Sequence, residues 1–191
     1  MSEQSAPVRS PAMRGFDRIR TKTVREELAK AYARMIYHTL FRRGTTNLSR
    51  CAGIGMAERR RLLDSGKAPR AIGVREEKLK LAGECVYCGE EATSVDHLIP
   101  QFKNGPDAAD NLVPACRECN SSKGSRDAFV WAAGKGFFPV HVTRRYLVLA
   151  WRWCERAELL DQGKEVLTEP ATPFGIETIN WSRELPTQRP R

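Results

Sequence analysis

Apolar residues at Val24, Leu28, Tyr32, Met35, Ile36 and Leu40 recur at helical intervals, so the chain from Thr23 to Arg42-Arg43-Gly44 is predicted to form an amphipathic helix. Thr23 and Glu26 have capping-box spacing at its start, and basic residues followed by a glycine mark its end. A shorter helix is predicted over Met56 to Leu63, and another over Val74 to Leu81 leads into Cys85. Beyond Gly124 the periodicity returns. Ser125 is read as the N-cap of a helix carrying Phe129, Val130 and Trp131. Leu147, Trp151, Cys154 and Leu159 then mark a helix from Thr143 to about Leu160, with Trp151 and Trp153 assigned to packing. From residue 168 onward, Pro170, Pro173, Pro186 and Pro190 interrupt any regular pattern, and an irregular tail is expected.

Between these helical stretches lies a segment of different character. Cys85 and Cys88 form one C-x2-C pair, Cys116 and Cys119 a second, and the interval holds the chain's single Asp-His dipeptide, Asp96-His97, followed by Asn111. Two such pairs supply the four thiolates that a structural tetrahedral zinc site uses. With four protein ligands such a site has no open position, so the insert is where chemistry can sit. Cys51 and Cys154 have no C-x2-C partner and are read as buried or incidental thiols. His38 is placed at the edge of the first helix's apolar face, a surface or core-edge residue rather than a ligand, and His141 stands before the last helix with no partner suggested by spacing.

The chain has 191 residues, 41% of them apolar, which is enough for a sizeable core. Its net charge of +9 is unevenly spread: 19 Lys and Arg face 8 Asp and Glu up to residue 83, against 13 and 15 after it. A basic segment beside such a cysteine-bounded insert suits a polyanion, because neutralising phosphates releases counterions. Arg59-Arg60-Arg61 is the densest basic cluster and the first candidate for phosphate contact, with Arg117, Lys123 and Arg126 as further candidates near the cysteines. No apolar run in the first residues is long enough for a secretory leader or a membrane span, so a cytoplasmic protein without a membrane partner is expected.

The first C-x2-C, Asp96-His97-Leu98-Ile99-Pro100, the loop with Gly105, Asn111-Leu112-Val113-Pro114, and the second C-x2-C running into Asn120-Ser121-Ser122-Lys123-Gly124 together resemble the HNH endonuclease family. The resemblance spans roughly residues 83 to 128, and the last motif position, often histidine in the family, is Asn120. It implies an α+β, mostly helical fold, with a ββα-metal core and a four-cysteine zinc clamp flanked by N- and C-terminal helices. The expected organisation is a flexible basic arm (1–20), a basic helical segment (21–83), the nuclease core (84–128), C-terminal helices packing on it (129–167) and a Pro-containing tail (168–191).

The same resemblance implies His97 as general base and Asp96 with Asn120 as ligands of a catalytic Mg²⁺ or another divalent cation. It makes Asn111 the residue that ties the loop together. Adjacent strand residues point to opposite faces, so Asp96 and His97 would divide metal and water between them. The substrate implied is DNA, with RNA as the alternative; a zinc-stabilised nucleic-acid-binding protein without catalysis is the competing class. Among the family's roles, phage defence is favoured over restriction and mobile elements. The chain has no G-x-x-x-x-G-K-[ST] motif, so an energy-driven step would need a regulatory or ATPase partner protein.

Overall fold

The computed structural model describes residues 15–42, 44, 46–69, 83–167, 172–176, 179, 181 and 185–190. The helix expected at Val74 to Leu81 and most of the basic arm lie outside these residues. In chain order the elements are helices α1 (Val24–Arg42) and α2 (Leu48–Ser65), strand β1 (Ser94–His97), a 3-10 turn (Gln101–Lys103), strand β2 (Leu112–Ala115), and helices α3 (Arg117–Lys123), α4 (Ala128–Gly134) and α5 (Val140–Arg156). A second 3-10 turn, Lys164–Leu167, follows. Among the described residues the fold is mostly helical with one small antiparallel sheet, as expected from the sequence.

Helix α1 begins with the capping box: the Thr23 hydroxyl accepts from the Glu26 amide at 3.3 Å, and the Glu26 carboxylate accepts from the Thr23 amide at 3.3 Å. Two further first-turn donors are satisfied from afar, Val24 N–H by the Gln162 carbonyl at 3.0 Å and Arg25 N–H by Leu160 at 2.8 Å. Its apolar stripe through Leu28, Tyr32 and Met35 is buried, as the spacing requires. Helix α2 crosses close to α1 because Gly55 has no side chain; a Cβ there would stand 2.6 Å from the Ala33 carbonyl oxygen.

Several boundaries differ from the sequence expectation. Helix α2 is longer than Met56–Leu63, since Asn47 caps it by accepting from the Arg50 amide at 2.9 Å and Gly66 ends it in the left-handed region at φ 64°. Helix α4 starts at Ala128, not at Ser125. Asp127 is its cap, its carboxylate accepting from the Phe129 and Val130 amides at 2.8 and 3.1 Å. Helix α5 starts at Val140, so His141 lies in its first turn, and it ends at Arg156. His38 is a core residue, 1% exposed, with the rings of Tyr37, Phe138 and Trp181 within 6 Å.

One main core runs from α1 through the cysteine-bearing turn and α4 to α5 and the tail. Tyr87 stands edge-on to Trp131 at 5.0 Å between centroids, and Trp131 edge-on to Phe137 at 5.3 Å, so the first C-x2-C pair is packed directly against α4. Each such fully buried aromatic contributes on the order of 2–3 kcal/mol by area alone. Cys51 and Cys154 are both buried within the apolar clusters, and Trp151 is fully buried as assigned. After Leu167 the described tail has neither helix nor strand, yet Phe174, Ile176 and Ile179 are buried in the core. Among the described residues, no helix is long and apolar enough to cross a membrane.

Candidate active site and zinc clamp

The first cysteine pair sits on a tight turn. Gly89 N–H donates to the Cys85 carbonyl at 2.9 Å, with Gly89 at φ 81°, and Cys85 N–H donates to Glu90 at 2.7 Å. The second pair opens α3: Cys116 is its N-cap, and its sulfur accepts from the Cys119 amide at 3.3 Å. Val86 N–H bonds the Pro114 carbonyl at 3.0 Å and so holds the two turns face to face. All four sulfurs lie within 4.8 Å of one another, and Cys88 Sγ is 3.7 Å from Cys116 Sγ. A tetrahedron with Zn–S bonds of about 2.3 Å has edges of about 3.8 Å, so the four residues fit a structural zinc ion.

The thiols show the same fit from their electrostatics. Burial pushes the Cys88 thiol up to about 11 and raises Cys119 strongly, while burial of Cys116 is outweighed by the Cys119 amide and the three neighbouring thiols acting together on its sulfur, and its value falls. Four clustered thiols cannot all ionise without a cation among them. Zinc would supply that charge and lock the start of α3.

Strand β1 pairs antiparallel with β2, with Asp96 opposite Val113 and His97 opposite Leu112. Exposure alternates along it: Val95 is 58% exposed, Asp96 4%, and His97 is half-buried. The sheet period therefore separates the two residues as expected. Asp96 faces inward, where its Oδ2 accepts from the Tyr87 hydroxyl at 2.5 Å and its Oδ1 from Lys123 Nζ at 2.9 Å. Lys123 is corrected by this arrangement. It is 1% exposed and donates also to the His97 carbonyl at 2.8 Å, so its ammonium is a buried counter-ion and not a surface phosphate contact.

Asn120 lies one turn before Lys123 on α3. Its Nδ2 donates to Ser94 Oγ at 3.2 Å and to the Val95 carbonyl at 3.0 Å, which pins α3 across β1 and leaves the amide oxygen for another partner. A carboxylate and an amide oxygen are hard donors of the kind Mg²⁺ takes together with waters. Asp96 and Asn120 would hold that cation, in competition with the Lys123 ammonium.

Asn111 is wholly buried and closes the loop after β1. Its Oδ1 accepts from Ile99 N–H at 2.9 Å, and its Nδ2 donates to the Ile99 and Pro106 carbonyls at 2.8 and 2.9 Å. Gly105 is required here because a Cβ would collide with the Ile99 carbonyl oxygen. From outside, Arg145 of α5 donates to the Leu112 carbonyl at 2.7 Å, and Arg152 pairs with Asp110 at 3.1 Å. The loop presents Asp107, whose Oδ1 stands 3.1 Å from His97 Nε2.

Of the basic candidates, Arg117 is exposed at the start of α3, and Arg126 is exposed with its guanidinium turned back onto the Ser122 and Lys123 carbonyls. On α2, Arg60 is exposed, Arg59 half-buried, and Arg61 is bidentate to Glu58. Sequence reasoning missed Tyr87, Asp107 and Arg189. The last closes over the clamp from the tail, donating through its backbone to the Tyr87 carbonyl at 2.7 Å and through its guanidinium to Cys119 Sγ at 3.6 Å and Glu118 at 2.8 Å. Tyr87 sits inside the C-x2-C pair and Asp107 four residues before Asn111, but neither has a spacing that marks it.

The model of the HNH endonuclease family matches residues 85–126. Over 73 residues the chain is 34% identical to the CRISPR-associated endonuclease Cas9 of Corynebacterium diphtheriae and 37% identical to that of Actinomyces naeslundii. Each alignment covers 35% of this chain and 7% of the relative, so the chain spans a small fraction of the proteins it matches. No solved structure matches the chain. With two antiparallel strands, the crossing helix and the four-cysteine clamp all in residues 85–126, that segment is a domain of the HNH endonuclease family.

Proposed function

We propose that the chain is a metal-dependent HNH endonuclease that hydrolyses phosphodiester bonds in DNA. The observation that carries this reading is His97: a half-buried imidazole at the end of β1, on a hairpin crossed by α3, with Asp96 beside it on β1 and Asn120 facing that strand from α3. A neutral imidazole there takes the proton of the attacking water. The divalent cation, when bound, supplies charge to the phosphoryl oxygens and the departing oxygen. The products are a 5′-phosphate and a 3′-hydroxyl. Exposed arginines, with Arg60, Arg117 and Arg126 foremost, hold the backbone of the polyanion.

The role we assign is phage defence, supported by relatives that are themselves CRISPR-associated endonucleases. The protein acts in the cytoplasm, and any energy-driven or sensing step in its action would come from a regulatory or ATPase partner. The test is incubation of supercoiled plasmid with purified zinc-loaded protein and Mg²⁺ or Mn²⁺, beside His97→Ala and a divalent-free control. Nicking or linearisation lost in the variant, with DNA binding retained, supports the nuclease. Binding without cleavage in every condition, including with RNA and single-stranded DNA, supports a zinc-stabilised binding protein instead.

A further inference from the structure

We infer that Asp107 is the positioning residue of His97: it holds the imidazole through Nε2 and so makes Nδ1 the proton-accepting atom. The catalytic consequence rests on the nuclease reading above. The geometry stands apart from it. His97 Nε2 lies 3.1 Å from Asp107 Oδ1, and an ionised carboxylate only accepts, so the ring hydrogen is on Nε2 and the lone pair on Nδ1.

The pair is poorly suited to a stabilising role. The Asp107 side chain is 73% exposed and that of His97 25%, and an exposed pair of this kind adds little to folding. The loop that delivers Asp107 is nevertheless tightly built. Buried Asn111 binds the carbonyl of Pro106, the residue directly before Asp107, and the same side chain grips Ile99 two residues after His97. Asn111 therefore acts on the base without touching it, by fixing both the end of β1 and the backbone that carries Asp107. A negative charge beside a site for a polyanion is unfavourable for binding, which sets Asp107 apart from the arginines nearby.

In the proposed step, Nδ1 takes a proton from water and the water oxygen forms a bond to phosphorus. The bond from phosphorus to the 3′ oxygen breaks with its electron pair on that oxygen, which takes a proton from solvent. The imidazolium returns its proton to solvent. Asp107 stays ionised throughout and transfers nothing.

The experiment compares zinc-loaded wild type, Asp107→Ala, Asp107→Asn, His97→Ala and the His97→Ala/Asp107→Ala double variant. Single-turnover cleavage of a DNA duplex, duplex affinity, and the Mg²⁺ dependence are measured, together with the ¹⁵N signals of the His97 ring in its neutral form. Asp107→Ala is expected to slow cleavage about 10- to 100-fold with DNA affinity unchanged or tighter. Asp107→Asn, whose amide oxygen still accepts from Nε2–H, keeps most of the rate. The double variant is no slower than His97→Ala, because Asp107 acts only through the ring. The wild-type ring shows hydrogen on Nε2, and Asp107→Ala shows a mixture of the two neutral forms. A wild-type rate and an unchanged ring spectrum in Asp107→Ala would overturn the inference. So would a raised Mg²⁺ requirement with the saturating rate intact, which would make Asp107 a cation ligand. If the wild type cleaves nothing, the nuclease reading fails on that ground, and the ring spectra still decide whether Asp107 sets the imidazole.

Discussion

Lys123 Nζ lies 2.9 Å from Asp96 Oδ1, and both side chains are at least 95% buried, so one ammonium ties the end of α3 to the strand that carries His97. Removing only one partner leaves the other charge buried and uncompensated. Lys123→Met is therefore expected to lower stability by about 3–5 kcal/mol in urea denaturation. The Asp96→Asn/Lys123→Met double variant recovers most of that loss, and a double variant as unstable as the single one would show that the lysine acts by packing instead.

Arg189 reaches from the tail to Cys119 Sγ at 3.6 Å and Glu118 at 2.8 Å. An N–H donor on a zinc-bound thiolate offsets the negative charge of four sulfurs on one divalent ion. Arg189→Ala should speed zinc transfer to a chromophoric chelator about 10-fold, with the helical circular dichroism of the zinc-loaded protein unchanged. An unaltered release rate would assign the contact to the packing of the tail alone.

Burial alone pushes the Cys154 thiol up from its ordinary 9.0 to about 12. The folded state thus favours the neutral thiol. The stability this contributes is complete below about pH 9 and is lost as pH rises towards 12, because the unfolded chain ionises first. The stability difference between wild type and Cys154→Ala, followed by thermal melting, should therefore shrink as pH rises from 9 to 12. A difference that is flat across that interval would refute the linkage.

Arg60 is exposed on α2, while Arg61 is already bidentate to Glu58. For DNA binding, Arg60→Ala should weaken affinity uniformly across sequences and reduce the slope of log K against log salt by about 1. Arg61→Ala should do less, since its guanidinium is partly neutralised. Equal effects, or none, measured by fluorescence anisotropy over a salt series, would remove α2 from the DNA-facing surface.

What the sequence determined by itself is what short-range spacing can encode. The Thr23–Glu26 box and the stripe from Val24 to Leu40 specify α1, because capping and helical period are both local. The C-x2-C pairs specify a clamp, because two residues between thiols bring them onto one centre wherever the chain goes. Period two along β1 parted Asp96 from His97. The tertiary structure decided the rest, through contacts between residues far apart in the chain. Asp127 displaced Ser125 as the cap of α4, being held there also by the Tyr146 hydroxyl and by Gly175 N–H of the tail. Lys123 reads as a surface cation in a polar run, and only the crossing of α3 over β1 buries it against Asp96. Asp107 meets His97 because Asn111 folds the intervening loop back on itself, and Arg189 meets Cys119 because the irregular tail buries Phe174, Ile176 and Ile179 in the core. Such contacts follow from the closing of loops and the burial of apolar surface, neither of which leaves a period in the sequence.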